Sequence, residues 1–266
     1  MTEEMEDVDP SGAVARWWQT DVSHMEPGVI ELRGTPVQEL IGRIDLASMI
    51  WLMVRGDRPT PAEAALLQAA LVAGVDHGPQ APSIAIARMA ATCGVGLNSA
   101  MASGINVLGD SHGGAGQACV EFLQAVLDAE AQGAPLAEAV RRTVEAGPRY
   151  LPGFGHRFHP IDPRRDPLLT LTRTAVDAGV VPGHFLRAGL AVEAHLRQTR
   201  SRPIPMNIDG ATAIIYAELG FPAPLARGLF VLSRSVGILA HAWEESSQGL
   251  RNKGPIPRSV LPARAS

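Results

Sequence analysis

Apolar residues recur along most of the chain at the three- and four-residue spacing of an amphipathic helix. Between residues 37 and 53 this spacing holds until Gly56 and Pro59 interrupt it, so the segment is predicted as one helix or a broken pair. Thr60-Pro61-Ala62-Glu63 then combines a capping hydroxyl, a proline at the first helical position and a strong helix former. Another helix is therefore predicted to begin there.

The same pattern continues through the C-terminal half of the chain, with Gly, Pro and polar turns between the segments. Helices are predicted over residues 82–107, 114–131, 135–146, 167–179, 183–200, 210–219 and 223–246. Only VIEL (29–32) and PIPMNI (203–208) have the character of extended segments. The apolar run 225–243 approaches the length of a bilayer span, but Arg227 and Arg234 interrupt it. It is therefore predicted as a buried helix, and no membrane association is expected.

Composition adds the class of protein and its compartment. The chain has 266 residues, of which 46% are hydrophobic, enough for a substantial core. Its 23 Lys and Arg against 27 Asp and Glu give a net charge of -4, which offers no general attraction to nucleic acid or acidic membrane. Cys93 and Cys119 lack C-x-x-C spacing, so neither a disulfide framework nor a thiolate zinc site is predicted, and a cytoplasmic location is expected.

The stretch LGDSHGGAG (108–116) admits two chemical interpretations. Gly109 to Gly113 fit the G-x-S-x-G pattern of a hydrolase nucleophile elbow, which would make Ser111 the nucleophile. That elbow needs a parallel sheet beneath it, and the Val- and Ile-rich runs of such a sheet are missing from the sequence. Ser111 is therefore predicted to be a turn or cap hydroxyl, with the serine hydrolase kept as an alternative.

Titratable residues stand beside glycine in four turns of the sequence. The turns are Asp76–Pro79, Ser111–Gly114, Gly153–Arg157 and Asn207–Gly210. Because glycine removes the Cβ that keeps a ligand away from backbone N–H groups, these turns are candidate substrate contacts. The His156 and His159 pair has helical spacing, but Pro160 follows it and no H-E-x-x-H is present, so no metal site is predicted.

Seven segments resemble the citrate synthase family, in family order, over residues 28 to 250. PGFGHRFHPIDPR (152–164) is similar to the GFGHR…DPR pattern of that family. The other six are ELRGTPVQELIG, WLMVRGDRPTPAE, VDHGPQAPS, LGDSHGGAG, NIDGATAIIYAELGFP and FVLSRSVGILAHAWEE. Within the family, VDHGP, LGD-x-x-GGA, NIDG and FVL-x-RS-x-G resemble citryl-CoA lyase and the citryl-CoA-cleaving part of ATP citrate lyase. His112, however, occupies a turn that some lyase members fill with another residue, which makes the site more synthase-like.

The resemblance implies an all-α, citrate-synthase-like multihelical fold with a large domain and an inserted small domain. The expected large domain comprises residues 28–113 and 210–266, and the expected small domain comprises residues 114–209. Residues 1–27, whose start is acidic and poor in apolar residues, are expected to form a flexible tail. The family also implies a homodimer or a higher homo-oligomer.

Three catalytic roles are implied by the resemblance. Asp209 would remove a methyl proton from acetyl-CoA while His112 donates to the thioester oxygen. His156 would donate to the ketone of oxaloacetate. No permanently bound cofactor is expected, and coenzyme A would enter only as the acetyl-CoA or citryl-CoA substrate.

Binding residues follow from the same resemblance. His77, Arg164 and Arg234 would hold oxaloacetate, with bidentate guanidinium groups suited to its two carboxylates. Arg251 or Arg258 would reach the site across the dimer. The segment expected to lie against coenzyme A comprises Gly153, Phe154, Gly155 and Arg157.

The expected activity is the interconversion of citryl-CoA with acetyl-CoA and oxaloacetate, as in citryl-CoA lyase. One alternative is a citrate synthase that releases citrate and CoA, and another is a condensing enzyme for a related 2-oxo acid. A non-catalytic CoA-binding regulatory subunit is the alternative from another class.

Overall fold

The computed structural model describes residues 10–254 and Ser259, and the described chain is mainly helical. The all-α prediction is confirmed. The helices are α1 (Pro10–Trp18), α2 (Val37–Leu40), α3 (Leu46–Arg55), α4 (Pro61–Gly74), α5 (Pro82–Ala91), α6 (Leu97–Asn106), α7 (Ala115–Ala131), α8 (Leu136–Ala146), α9 (Arg165–Asp177), α10 (His184–Thr199), α11 (Ile208–Glu218) and α12 (Ala223–Ser247). The strands are β1 (Ser23–Glu26), β2 (Val29–Leu32) and β3 (Thr35–Pro36).

The chain separates into two compact units, one ending at Ala65 and the other beginning at Leu66. This boundary falls inside α4, so it differs from the boundaries implied by the resemblance. The division into residues 28–113 with 210–266 and residues 114–209 stays a prediction. Within the segment 1–27, predicted as a flexible tail, the described residues form α1 and β1.

The first unit holds an antiparallel three-stranded sheet in the order β1-β2-β3. The predicted extended segment VIEL is β2, which pairs with β1 from Ser23 opposite Leu32 to Glu26 opposite Val29. Gly28 has a φ of 80°, which allows the tight turn between these strands. The predicted broken helix pair is α2 and α3, and the Asp45 carboxylate caps α3 by accepting from the Ser48 N–H at 2.9 Å.

Most predicted helices of the second unit are present, with one break that the pattern did not reveal. The segment 82–107 forms two helices, α5 and α6, because the chain turns between Thr92 and Gly96. The Thr92 hydroxyl donates to the carbonyl of Met89 at 2.8 Å, and Gly94 has a φ of 84°. PIPMNI is not a strand, although Met206 forms a single bridge to Phe154.

Helix α12 runs through the helical core and packs against α5, α6, α7 and α11. It is long and apolar enough to cross a membrane by length and composition alone. Within the described chain, however, it carries buried Arg234 and Glu245 and packs Ile238 and Ala242 into a cluster with α5 and α6. These contacts fit the predicted buried helix.

Candidate active site

The loop 152–157 is joined to the segment before α11 by main-chain hydrogen bonds. The Gly155 N–H donates to the carbonyl of Pro205 at 2.7 Å, and the Asn207 N–H donates to the carbonyl of Gly153 at 2.9 Å. The Asn207 side-chain amide adds a bond to the carbonyl of Gly155 at 2.6 Å. Because His156 lies in this loop and Asp209 lies in the first turn of α11, the bonds bring two predicted catalytic residues into one region.

Two glycines make this close approach possible. A Cβ on Gly210 would stand 2.4 Å from the carbonyl oxygen of Gly153. A Cβ on Gly153 would stand 2.6 Å from the sulfur of Cys119, and Gly153 also has a φ of 82°. Only glycine fits at both positions without moving the backbone.

Asp162 is a buried carboxylate that holds two parts of the site together. Its oxygens accept from Nε and Nη2 of Arg164 at 2.9 and 2.8 Å, and from the Ile208 N–H at 3.2 Å. Burial opposes its ionisation, but the bonds to Arg164 and Ile208 outweigh that effect and lower its pKa to about 2. Asp162 was not predicted as a site residue, although it belongs to the DPR sequence that carried the resemblance.

His156 is fixed as one neutral tautomer by its neighbours. Its Nδ1 accepts from the backbone N–H groups of Phe158 and His159, both at 3.0 Å. Since those groups can only donate, the ring proton must sit on Nε2, which lies 3.9 Å from Oδ2 of Asp162. Burial lowers the pKa of His156 and outweighs the attraction of Asp162, so the imidazole stays neutral and presents an Nε2–H donor.

His112 is held in the opposite tautomer. Its Nε2 accepts from the backbone N–H of Ser83, in the first turn of α5, at 3.1 Å, and the Ser83 hydroxyl lies 3.0 Å from the same atom. The proton therefore sits on Nδ1. Burial, followed by the charge of Arg234, lowers the pKa of His112, so this ring is also a neutral donor. Ser83 was missed in the sequence because its backbone, rather than its side-chain type, makes the key bond.

Arg234 is a buried cation of α12 beside the loop that carries His77. Its Nε donates to the carbonyl of Gly74 at 3.0 Å, and its guanidinium lies 5.0 Å from the Phe230 ring centroid. Gly237, one turn further, lets α12 approach that loop, because a Cβ there would meet the carbonyl of Val75 at 2.1 Å. Burial lowers the pKa of Arg234, but a guanidinium stays charged at any working pH.

The two arginines whose charges act on His112 and His156 also act on Asp209. Burial raises its pKa, while the charges of Arg164 and Arg234 oppose that rise. Arg234 also lowers the pKa of His112, and Arg164 lowers that of His156. Each of the three residues predicted to be catalytic therefore lies within range of the charge of Arg164, Arg234 or both.

His77, His156 and His159 form a cluster in which one ring nitrogen of each lies within 4.8 Å of the others. Such spacing also suits a metal ion. A neutral imidazole has only one free lone pair, however, and in His156 it accepts two backbone N–H groups at Nδ1. His156 is therefore arranged to donate a hydrogen bond rather than to bind a metal.

Two cavities meet at His156 and Arg157, which line both. The smaller has a volume of about 380 Å³, and its walls include His77, Ser111, His112 and Arg234. The larger has a volume of about 870 Å³, and its walls include Arg149, Arg200 and Arg202.

Comparison with known proteins assigns the chain to a family. A sequence profile described as citrate synthase, C-terminal domain, matches residues 30–258. The chain belongs to the citrate synthase family. The predicted resemblance is confirmed.

Relatives in the citrate synthase family include both synthases and lyases. The citrate synthase of Haloferax volcanii is 27% identical over 214 residues, which cover 80% of this chain and 55% of that protein. The structure of citryl-CoA lyase from Hydrogenobacter thermophilus has a TM-score of 0.82 and 27% identity, and covers 94% of this chain and 95% of that one. ATP citrate lyase from Methanothrix soehngenii shares the fold at a TM-score of 0.80 and 21% identity, over 97% of this chain and 44% of that one. This member of the citrate synthase family spans about half the length of the curated citrate synthases that it matches.

The remaining residues predicted from the citrate synthase family take different positions. Phe154, Gly155 and Arg157 line the larger cavity, and Gly153 lies beneath it against Gly210. Arg251 is exposed and lines neither of the two cavities, and Arg258 lies outside the described residues. Ser111 lines the smaller cavity, but the Nε2 of His112 is bonded to Ser83 instead.

Proposed function

We propose that this protein interconverts citryl-CoA with acetyl-CoA and oxaloacetate, as a citryl-CoA lyase does. The observation that carries the proposal is the pair of neutral imidazoles in opposite tautomers, His112 with Nδ1–H and His156 with Nε2–H, gathered with Asp209 around two arginines. Two donors and one carboxylate are the groups that an enolising condensation requires.

In the condensing direction, the Asp209 carboxylate takes a proton from the methyl group of acetyl-CoA. His112 donates from Nδ1 to the thioester oxygen, so that the electron pair of the broken C–H bond is stabilised as an enol. The enol carbon attacks the ketone carbon of oxaloacetate, and the enol proton returns to Nδ1 of His112 as the thioester carbonyl forms again. Nε2 of His156 gives its proton to the oxygen that becomes the citryl hydroxyl, and the proton that Asp209 took from the methyl group replaces it, so all three residues regain their starting states. Cleavage runs through the same steps in reverse. A positioned donor of the His112 kind contributes about 3 to 4 kcal/mol by analogy with oxyanion-hole deletions.

The raised pKa of Asp209 suits this role. A carboxylate that is costly to keep ionised is a stronger base than one in water, and the enolisation of a thioester needs the strongest base that remains ionised near neutral pH. Arg164 and Arg234 limit the rise, so the carboxylate form is kept.

The two cavities divide the substrates between them in this proposal. Oxaloacetate occupies the smaller cavity, where Arg234 contacts its carboxylates and His77 contacts the same ligand, while the charge of Arg164 acts on His77. The larger cavity takes coenzyme A, with its arginines facing the phosphate groups. Each of the two cavities is thereby matched to an anionic ligand.

A citrate synthase that hydrolyses citryl-CoA is the second candidate, favoured by the synthases among the relatives. The lyase is preferred because the similarity to citryl-CoA lyase extends over nearly the whole of both chains. Purified protein incubated with citryl-CoA should yield acetyl-CoA and oxaloacetate. Free CoA with citrate would instead identify a synthase.

A matched pair of variants separates chemistry from folding in that experiment. Asp209→Asn should abolish product formation, and Asp177→Asn, at the exposed end of α9, should not change it. If acetyl-CoA binds but its methyl protons never exchange with D₂O, the protein is a non-catalytic CoA-binding subunit and the proposed activity is wrong.

We also propose that the protein is a homodimer. Helix α12 exposes an apolar stripe of Leu232, Val236, Leu239 and Trp243 at spacings of four, three and four residues. Light scattering coupled to gel filtration should give twice the chain mass of 28.1 kDa, and a single-chain mass would contradict the dimer.

A further inference from the structure

His159 is a third imidazole beside the two histidines of the smaller cavity. Its ring centroid lies 4.6 Å from that of His156 and 6.2 Å from that of His77, and the His77 and His156 centroids are 5.0 Å apart. These distances describe a triangle of rings rather than a linear stack. From its sequence position, His159 was a candidate only for metal binding.

The ring nitrogens of this triangle are spaced to surround one oxygen atom. One nitrogen of each histidine lies within 4.8 Å of the other two. A point at the centre of an equilateral triangle of that side is about 2.8 Å from each corner, which is hydrogen-bond distance. Because His156 keeps its proton on Nε2, an oxygen acceptor fits the cluster better than a metal ion does.

The main chain of His159 is held in place by His156, whose ring lies beside that of His159. Its backbone N–H donates to Nδ1 of His156 at 3.0 Å, so the two residues hold one another in place. His159 lines the larger cavity, His77 lines the smaller, and His156 lines both. The cluster therefore stands where the two cavities meet, which is where the proposed carbon–carbon bond forms.

Charged groups around the cluster favour an anionic ligand. Arg164 and Arg234 act on His77, and Arg164 also acts on His156. The single carboxylate that acts on both rings, Asp162, already accepts bonds from Arg164 and the Ile208 N–H.

We propose that His159 is a further substrate-binding residue, and that its imidazole joins His77 and His156 in holding an oxygen of the 2-oxo acid. The inference rests on the proposed function, because it assigns a contact to the keto-acid half of that reaction. It assigns the cluster to the 2-oxo acid rather than to the acyl group of the thioester.

Three variants test the role of His159. His159→Phe keeps a flat ring and removes the donors, His159→Gln keeps an N–H donor, and His24→Phe is a matched change at an exposed position of β1. The dissociation constant for oxaloacetate is measured by isothermal titration calorimetry, and KM and kcat are measured for oxaloacetate and acetyl-CoA. His159→Phe should weaken oxaloacetate binding and raise its KM by about tenfold, as expected for the loss of one hydrogen bond.

In the same series, His159→Gln should recover part of the affinity for oxaloacetate. The KM for acetyl-CoA should stay within about twofold of wild type in both His159 variants, because the lost bond is made to oxaloacetate. If the wild-type protein is active and His159→Phe still binds oxaloacetate with wild-type affinity, this inference is overturned and the proposed function stands. A change confined to the KM for acetyl-CoA would also overturn it and place the ring on the thioester side. Wild-type protein that binds neither oxaloacetate nor citrate would overturn both.

Discussion

Gly153 and Gly210 touch backbone to backbone, so that a methyl group on Gly210 would stand 2.4 Å from the Gly153 carbonyl oxygen. This contact fixes the spacing between the loop that contains His156 and helix α11, whose first turn contains Asp209. No side chain at either position can be accommodated by a rotamer change alone, because main-chain atoms of the other glycine are among the obstructing atoms at both positions.

We expect Gly210→Ala to lower the free energy of unfolding by about 2 kcal/mol or more, since the clash forces a backbone shift. The loss of activity should be larger than the loss of folded protein alone explains, because the shift separates His156 from Asp209. Gly228→Ala is the control: this glycine is exposed within α12, has nothing within 4 Å of a Cβ, and should gain up to about 1 kcal/mol from helix propensity. Urea unfolding and a CoA-product assay measure both effects, and equal stability of the two variants would contradict the packing argument.

The tautomers of His112 and His156 can be observed directly. Two-bond proton–nitrogen correlation spectra should show His112 protonated at Nδ1 and His156 protonated at Nε2, because backbone N–H groups occupy the other nitrogen in each ring. Both rings should remain neutral at pH values somewhat below the ordinary histidine pKa of about 6.5, since burial lowers both pKa values. Identical tautomers in the two rings would invalidate the proposed division of roles.

Asp209 should reduce stability while it supports catalysis. Its pKa is raised by burial, so its favourable contribution to folding is present below the unfolded pKa and is lost as the pH rises through the folded value. At pH 7 the ionised group therefore costs stability, and Asp209→Asn should raise the melting temperature. The same variant should lose about a thousandfold or more in turnover. Thermal scans should show that the melting temperature of Asp209→Asn exceeds that of wild type by less at pH 4 than at pH 7. A melting temperature of the variant below that of wild type at pH 7 would refute this account.

Asp162 should behave in the opposite way. Its pKa is lowered to about 2, so its contribution is present above the unfolded pKa near 3.8 and is lost as the pH falls through about 2. Asp162→Asn should cost about 2 kcal/mol at pH 7, and its deficit relative to wild type should close between about pH 4 and pH 2. The control is Asp166→Asn, at a side chain that is 67% exposed, which should change little. A pH-independent deficit for Asp162→Asn would point to packing instead of charge.

The helices were predictable from apolar spacing because Gly and Pro mark most of their ends. The break between α5 and α6 was missed although Gly94 and Gly96 lie in it, because the small and apolar residues around these two glycines continue the helical pattern. In the site, the candidate acid and base groups could be found because they stand beside glycine. Asp162 and Ser83 could not be found in that way, because their partners are backbone N–H groups or side chains that only the fold brings near.

His159 is another residue whose neighbours could not be predicted from the sequence. The sequence placed it three residues after His156, where helical geometry would decide whether the two rings meet. The segment is a loop, and the rings meet because the His159 N–H turns back onto His156. Local spacing was therefore an unsuitable guide to a cluster that the loop assembles.

The bonds that join loop 152–157 to the start of α11 run mainly between peptide groups, from Gly155 to Pro205 and from Asn207 to Gly153. Peptide groups are the same in every amino acid, so most exchanges of side chain in these segments leave that junction unaltered. The architecture can therefore tolerate extensive evolutionary drift around a small number of obligatory glycines. Such tolerance accounts for how a chain sharing barely a quarter of its residues with a solved relative retains that relative's fold.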